Sequence, residues 1–94
     1  MKVHFTTPAL IDLASLAAYL SLYYPSIAPS VEARIHAVIA HIAEWPESAP
    51  IVAQRAGIRM MPLGRYPYKI YYRVAAERLE ILRIRHTAQR PIEK

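Results

Sequence analysis

The chain has 94 residues and no cysteine, and its 12 lysines and arginines against seven aspartates and glutamates give a net charge of +5. This length predicts one domain, residues 1–94, with a single modest core, and the lack of cysteine excludes disulfides and zinc–thiolate sites and fits a cytoplasmic protein. Residues 51–94 hold ten basic and three acidic side chains, which indicates an anionic partner, such as nucleic acid, a nucleic-acid-bound enzyme or an acidic protein segment, or else a merely solvated basic face.

The first half of the chain predicts a short strand followed by a helix. Alternation over residues 3–6 indicates the strand. We expect the helix to run from Pro8 to about Tyr24, because Thr-Pro is a favourable helix start and a proline follows the last residue. The apolar run over residues 10–24 is interrupted by Asp12 and two serines. Since about 20 apolar residues are needed to span a bilayer, we expect no membrane segment.

A second helix is predicted to begin at Ser30 or at the preceding Ala28-Pro29 pair and to continue to about Glu44. Its apolar side chains recur at helical spacing and form one stripe: Val31, Ile35, Val38, Ile39 and Ile42. The short connection between the two helices predicts an antiparallel hairpin. We expect Trp45, directly after the second helix, to close the bottom of the core.

The second half of the chain predicts three strands, over residues 55–63, 68–74 and 79–86. The middle strand alternates strictly, as a half-buried strand does. One set of alternate residues is Tyr68, Ile70, Tyr72 and Val74, and the other is Lys69, Tyr71 and Arg73. The alternation of the last one is less regular, because Ile81 shares its phase with the arginines. The predicted fold is therefore α+β, in the order β-α-α-β-β-β, with a helical hairpin packed on one face of a small, mostly antiparallel sheet.

This arrangement predicts different chemistry on the two faces of the sheet. The core face is expected to hold Ile58, Tyr68, Ile70, Tyr72, Val74, Leu82 and Ile84. The opposite face is expected to hold Arg59, Lys69, Tyr71, Arg73, Arg83 and Arg85, from three adjacent strands. Such a cluster is a candidate binding surface, whereas one isolated surface arginine contributes little.

Two segments of this half carry a family resemblance. They are GRYPYKIYYRV, residues 64–74, and LEILRIRHTAQRP, residues 79–91. Together they resemble the C-terminal half of the RelE/ParE toxin superfamily of type II toxin–antitoxin systems, and they are most similar to its ParE branch. With the helical first half, the resemblance covers nearly the whole chain.

The resemblance to the ParE branch implies a toxin that poisons DNA gyrase by stabilising the cleaved DNA–enzyme intermediate. It implies no covalent chemistry by the toxin, hence no catalytic residue and no cofactor, and it suggests a role in plasmid stability. The basic residues expected to contact the target are Arg59, Lys69, Arg73, Arg83, Arg85 and Arg90.

The resemblance also implies a cognate ParD-like antitoxin, which forms a hetero-oligomer with the toxin in the cytoplasm. In this family an acidic, amphipathic antitoxin segment folds against the helical hairpin. The first helix has more apolar surface than one contact can cover, and this independently predicts a groove lined by Leu13, Leu16, Leu20 and Tyr23. The alternative is that the sheet and the second helix cover all of these side chains.

An enzymatic alternative is a ribosome-dependent mRNA endonuclease of the RelE type. RNA cleavage needs an acid–base residue and cations that stabilise the phosphorane-like charge. The candidates are His86 as acid or base and Lys69, Arg83 and Arg85 as charge stabilisers. The chain departs from these nucleases after His86, where no tyrosine or further acid–base residue of the expected kind follows.

Other chemistry has little support in the sequence. His36 and His41 are five residues apart, so they do not share a helix face, and no metal site is expected. A general nucleic-acid-binding module is a third alternative.

Overall fold

The structure, a computed structural model, describes residues 1–52 and 57–88. Its elements are β1 (Lys2–Phe5), α1 (Thr7–Tyr23), α2 (Ala28–Glu44), β2 (Arg59–Pro62), β3 (Tyr68–Ala75) and β4 (Arg78–His86). The sheet order is β1-β4-β3-β2, in which β1 runs parallel to β4 and the other neighbours are antiparallel. The predicted α+β fold and element order are confirmed, although the expected start of β2 at residue 55 lies outside the described residues.

Helix α1 begins where the chain leaves β1. Thr6, not Thr7, is the cap: its Oγ1 accepts a hydrogen bond from the N–H of Ala9. The same hydroxyl lies 2.9 Å from the carbonyl oxygen of Ile81 and 3.1 Å from that of Leu82, on β4. The cap therefore also fixes the start of α1 against the sheet. Neither helix, over the part of the chain that the structure describes, is both long enough and apolar enough to cross a bilayer.

Helix α2 supplies the largest part of the core. All five residues of its predicted stripe are buried, and they pack with Ile70 and Tyr72 of β3 and with Leu79, Ile81 and Ile84 of β4. Each such side chain stabilises the fold by about 1.5–3 kcal/mol relative to an exposed one. Arg34 Nε donates to the carbonyl oxygen of Leu63 at 2.8 Å, which joins α2 to the end of β2.

The β3–β4 hairpin contains a bulge that the sequence only partly indicated. Its turn places Ala76 and Glu77 at positive φ, as two-residue hairpin turns do. Further along, Tyr71 pairs with Arg83 but Tyr72 pairs with Ile81, so Leu82 is an extra residue in β4. The bulge brings Ile81 onto the helix side with Tyr72. The expectation that Ile81 shares a side with the arginines is therefore wrong.

Two residues expected in the core are exposed. Val74 is 46% exposed, and among the described residues β2 pairs with β3 only as far as Tyr72. Trp45 is 59% exposed and does not close the core. The hydroxyl of Tyr72 instead donates to the carbonyl oxygen of Pro46 at 2.7 Å, and this bond joins the sheet to the end of α2.

Candidate functional site

The register of the sheet defines an outer face, the face directed away from the helices. Lys69 of β3 lies opposite Arg85 of β4, Tyr71 lies opposite Arg83, and Arg73 lies opposite Glu80. Opposite residues in a sheet direct their side chains to the same face. Four of the six predicted target-binding cations are therefore neighbours on the outer face: Lys69, Arg73, Arg83 and Arg85.

Arg59 does not lie on the outer face, so its predicted placement there is wrong. It pairs with Tyr72, whose side chain is part of the core on the helix side. Arg59 Nη1 donates to the carbonyl oxygen of Ala49 at 2.6 Å. The sequence suggested the wrong phase for β2, because a shift of one residue changes every side chain to the other face. Arg90 lies outside the described residues.

Two arginines of the outer face share one carboxylate. Arg73 Nε lies 2.8 Å from Glu80 Oε1, and Arg78 Nη2 lies 3.0 Å from Glu80 Oε2. Both hydrogen bonds lower the pKa of Glu80, and the one from Arg73 has the larger effect. Arg78 was not among the predicted target-binding residues, although its spacing of two residues from Glu80 in a strand places both side chains on one face.

Arg83 connects the sheet to α1. Its Nε lies 2.7 Å from Asp12 Oδ2 and its Nη2 lies 3.0 Å from Asp12 Oδ1. The N–H of Ile84 also donates to Asp12 Oδ2, at 2.9 Å. The hydrogen bond with Asp12 raises the pKa of Arg83. Arg83 is therefore already neutralised within the protein, 71 residues along the chain from its partner.

Lys69 and Arg85 have a different environment. Lys69 is only 9% exposed, and its Nζ lies 5.7 Å from the ring centroid of Tyr71, which is 2% exposed. Arg85 is half-buried, and its Nε is buried without a hydrogen-bond partner. Within residues 1–52 and 57–88, neither cation forms an ion pair with a carboxylate.

His86 lies on the other side of the sheet from these cations. It pairs with Tyr68, and the two rings meet edge to face at a centroid distance of 5.3 Å. Its Nδ1 accepts a hydrogen bond from the N–H of Ala88 at 3.0 Å. The four residues of the nuclease alternative are therefore divided between two faces: the register puts His86 on the helix side, and Lys69, Arg83 and Arg85 on the outer face.

A groove of about 520 Å³ lies beside His86, between α1, the α1–α2 connection and the residues before β3. Four tyrosines line it: Tyr19, Tyr24, Tyr66 and Tyr68. Burial raises the pKa of Tyr68, and the neighbouring Tyr24 raises that of Tyr19. This groove could not be predicted from the sequence, because its walls come from segments that are distant in the chain.

The four residues predicted to bind an antitoxin differ in exposure. Leu20 is buried, Leu13 and Leu16 are half-buried, and Tyr23 is 61% exposed. The three leucines line a cleft of about 230 Å³ between α1 and α2. Only two residues of α1 are buried. Its exposed surface includes several large apolar side chains: Leu10, Ile11, Tyr19, Leu22 and Tyr23.

The described residues show no arrangement that suits a metal ion. Within residues 1–52 and 57–88, no group of three or more histidine, aspartate or glutamate side chains is close enough to hold one. The chemistry of the outer face is instead that of cations arranged to meet an anion.

Comparison with known proteins supports this description. A family model described as the ParE toxin of the type II toxin–antitoxin system parDE matches residues 3–91. The chromosomal ParDE system from P. aeruginosa is 23% identical with a TM-score of 0.78, over 92% of this chain and 95% of that one. The isolated E. coli RelE toxin is 15% identical with a TM-score of 0.66, over 96% of this chain and 86% of that one. No curated protein matches. The chain therefore belongs to the ParE toxin family of type II toxin–antitoxin systems.

Proposed function

We propose that this ParE-family toxin poisons DNA gyrase through the outer face of its sheet and that a cognate ParD-like antitoxin neutralises it. The observation that carries the proposal is the division of the candidate residues between two faces. His86, the acid–base candidate, lies on the helix side, whereas Lys69 and Arg85 lie on the outer face. An acid–base catalyst must reach the same reacting group as the cations that stabilise it. This separation supports a toxin that acts by binding its target, and it argues against a nuclease.

Two assays with purified toxin test the choice of target. Gyrase is assayed for supercoiling and for accumulation of cleaved DNA, and translated mRNA is assayed for cuts by primer extension. We expect loss of supercoiling, accumulation of cleaved DNA, and intact transcripts. Fully active gyrase together with ribosome-dependent cuts would identify the toxin as an mRNA endonuclease instead.

The variant His86→Ala separates the two mechanisms more sharply. We expect it to inhibit gyrase about as well as the original protein, because His86 does not lie on the outer face. His41→Ala, which changes an exposed histidine of α2, is the matched control. Loss of toxicity in His86→Ala but not in His41→Ala, with both variants folded by circular dichroism, would favour the nuclease.

The antitoxin is proposed to cover the exposed side of α1 and the cleft lined by Leu13, Leu16 and Leu20. Support comes from the apolar residues that α1 leaves exposed, since large exposed apolar patches mark interaction surfaces. An amphipathic antitoxin helix would place its apolar side chains in this cleft. The resulting complex is a cytoplasmic hetero-oligomer.

The antitoxin surface is tested with the variant Tyr23→Ala. Tyr23 is mostly exposed in the toxin alone, so the substitution changes folding little but removes apolar area that the antitoxin would bury. Burial of such a side chain contributes about 1.5–3 kcal/mol, so we expect the dissociation constant, measured by calorimetry, to rise roughly 10- to 100-fold. Trp45→Ala, an exposed aromatic at the other end of the hairpin, is the control. Equal effects of the two substitutions would contradict the assignment.

A further inference from the structure

Lys69 and Arg85 form a pair of like charges at one position of the outer face. They lie directly opposite each other on β3 and β4, where side chains approach within about 5 Å at their Cβ atoms. Like charges in this arrangement destabilise a sheet. The pair is also withdrawn from water, since Lys69 is 9% exposed and Arg85 Nε is buried.

The other arginines of the sheet have acceptors that neutralise or satisfy them. Arg73 and Arg78 share Glu80, and Arg83 is paired with Asp12. Arg59 donates to the backbone. Over residues 1–52 and 57–88, no acceptor of this kind is found for Arg85 Nε or Lys69 Nζ. A buried N–H group without an acceptor costs folding free energy, so this position favours an external anion.

The surroundings of the pair favour phosphate over an acidic peptide. An arginine Nε–H and a lysine ammonium together match two oxygens of one phosphate. Arg73 lies four residues from Lys69 on the same face, about 13 Å along the strand, and extends the positive surface. An amphipathic acidic peptide also needs apolar contacts, but Tyr71 beside Lys69 is 2% exposed, and the exposed apolar residues concentrate on α1.

We propose that Lys69 and Arg85 bind one phosphodiester group of a nucleic acid strand that runs across the outer face. This inference deepens the target-binding role proposed above for that face. It adds that the contact at this position is made with the nucleic acid backbone and not with a protein side chain. Tyr71, packed beneath Lys69, positions the ammonium group.

The test measures binding of the full-length toxin to a fluorescent 20-base-pair duplex by anisotropy at several salt concentrations. Each phosphate contact contributes about 0.9 to the slope of log K against log salt. Because the pair is proposed to bind one phosphodiester, the double variant Lys69→Gln/Arg85→Gln should lower that slope by about one and weaken binding at least tenfold at 0.1 M salt. An unchanged slope overturns the proposal.

The matched control is Arg65→Gln, which removes the same charge from an exposed arginine in the turn before β3. The single variant Arg85→Gln should also lower the slope, by no more than the double variant does, and Arg65→Gln should leave it unchanged. Equal losses in the two variants would show general electrostatic attraction only and would overturn the site. Thermal unfolding monitors folding, and we expect the double variant to be at least as stable as the original because the repulsion is removed.

A measurement on the unaltered protein covers the case in which the variants do not fold. Sodium phosphate should raise its melting temperature above that in sodium chloride of equal ionic strength, and equal melting temperatures overturn the site. Single-stranded RNA of 20 nucleotides distinguishes the source of the phosphodiester. Preference for the duplex identifies DNA, and equal binding shows that only the shared backbone is recognised; both results support the site.

The same protein samples separate this inference from the proposed function. Toxin that binds DNA as expected but leaves gyrase active retains the phosphodiester site and overturns gyrase as the target. Toxin that poisons gyrase but shows no binding dependent on Lys69 and Arg85 overturns the site and retains the target.

Discussion

Replacing Asp12 by alanine tests the connection between α1 and the sheet. β1 pairs with β4 only as far as Ile81. Beyond that residue, α1 covers the edge of β4, and the Asp12 carboxylate accepts the N–H of Ile84 and two hydrogen bonds from Arg83. Asp12→Ala removes all three bonds at once.

The expected loss of stability follows from the two kinds of bond. Ile84 is buried, so an unpaired N–H there costs about 1–3 kcal/mol. The Arg83 side chain is 36% exposed and can be solvated, so losing its ion pair costs only about 1 kcal/mol. The sum is about 2–4 kcal/mol. For a domain of this size, each kcal/mol corresponds to roughly 4–8 °C in melting temperature.

Urea unfolding followed by circular dichroism measures this loss. Asp12→Asn retains an oxygen that can accept the N–H of Ile84, so we expect it to cost only about 1 kcal/mol. Glu32→Ala, which removes an exposed carboxylate from α2, should change the free energy of unfolding by less than about 0.5 kcal/mol. If Asp12→Ala costs no more than Glu32→Ala, the carboxylate does not hold the edge of β4 and the reasoning is refuted.

Three further predictions concern the β3–β4 hairpin. The pKa of Glu80 is lowered in the folded protein, so its carboxylate stabilises the fold above the ordinary glutamate pKa, and this effect is lost as pH falls through the lowered value. The difference in free energy of unfolding between the original protein and Glu80→Gln, measured with urea between pH 7 and 3, should therefore shrink on acidification and not on raising the pH. Replacing Ala76-Glu77 by Asn-Gly, which suits their positive φ angles, should raise the free energy of unfolding by about 1 kcal/mol; a lower melting temperature would contradict this. Deleting Leu82 should leave the protein folded, because the Tyr71–Arg83 and Tyr72–Ile81 pairs then follow each other in a regular ladder and Glu80 stays opposite Arg73; loss of the native-like amide NMR spectrum in the deletion variant would contradict this.

Local periodicity was sufficient to predict much of this fold. The stripe of α2 and the alternation of β3 between Lys69 and Arg73 correspond to the observed faces, because each depends on spacing within one element. The phase change in β4 was also visible in the sequence. Its apolar residues fall at Leu79 and Ile81 and then at Ile84, and such a change from odd to even positions is what a one-residue bulge produces.

Contacts between distant segments could not be predicted in the same way. Nothing local to Asp12 indicates Arg83 as its partner, and the tyrosine groove combines α1 with the residues before β3. The prediction of which β2 side chains face the helices was wrong, because four residues are too few to fix a register when both sets of alternate residues contain apolar side chains. The candidate site was therefore foreseen as a basic face, whereas the difference between its paired and unpaired cations required coordinates.

Loss of a paired cation of the outer face should have a different effect in a living cell from loss of an unpaired one. A genetic screen for harmless toxin alleles would recover two kinds of lesion. Changes at Asp12 or Arg83 would disarm the toxin by depleting the folded polypeptide, since these residues hold α1 to β4. Lys69 and Arg85 form no ion pair with the residues that the structure describes, so changes there would yield abundant, well-folded and inert protein that still sequesters its antitoxin.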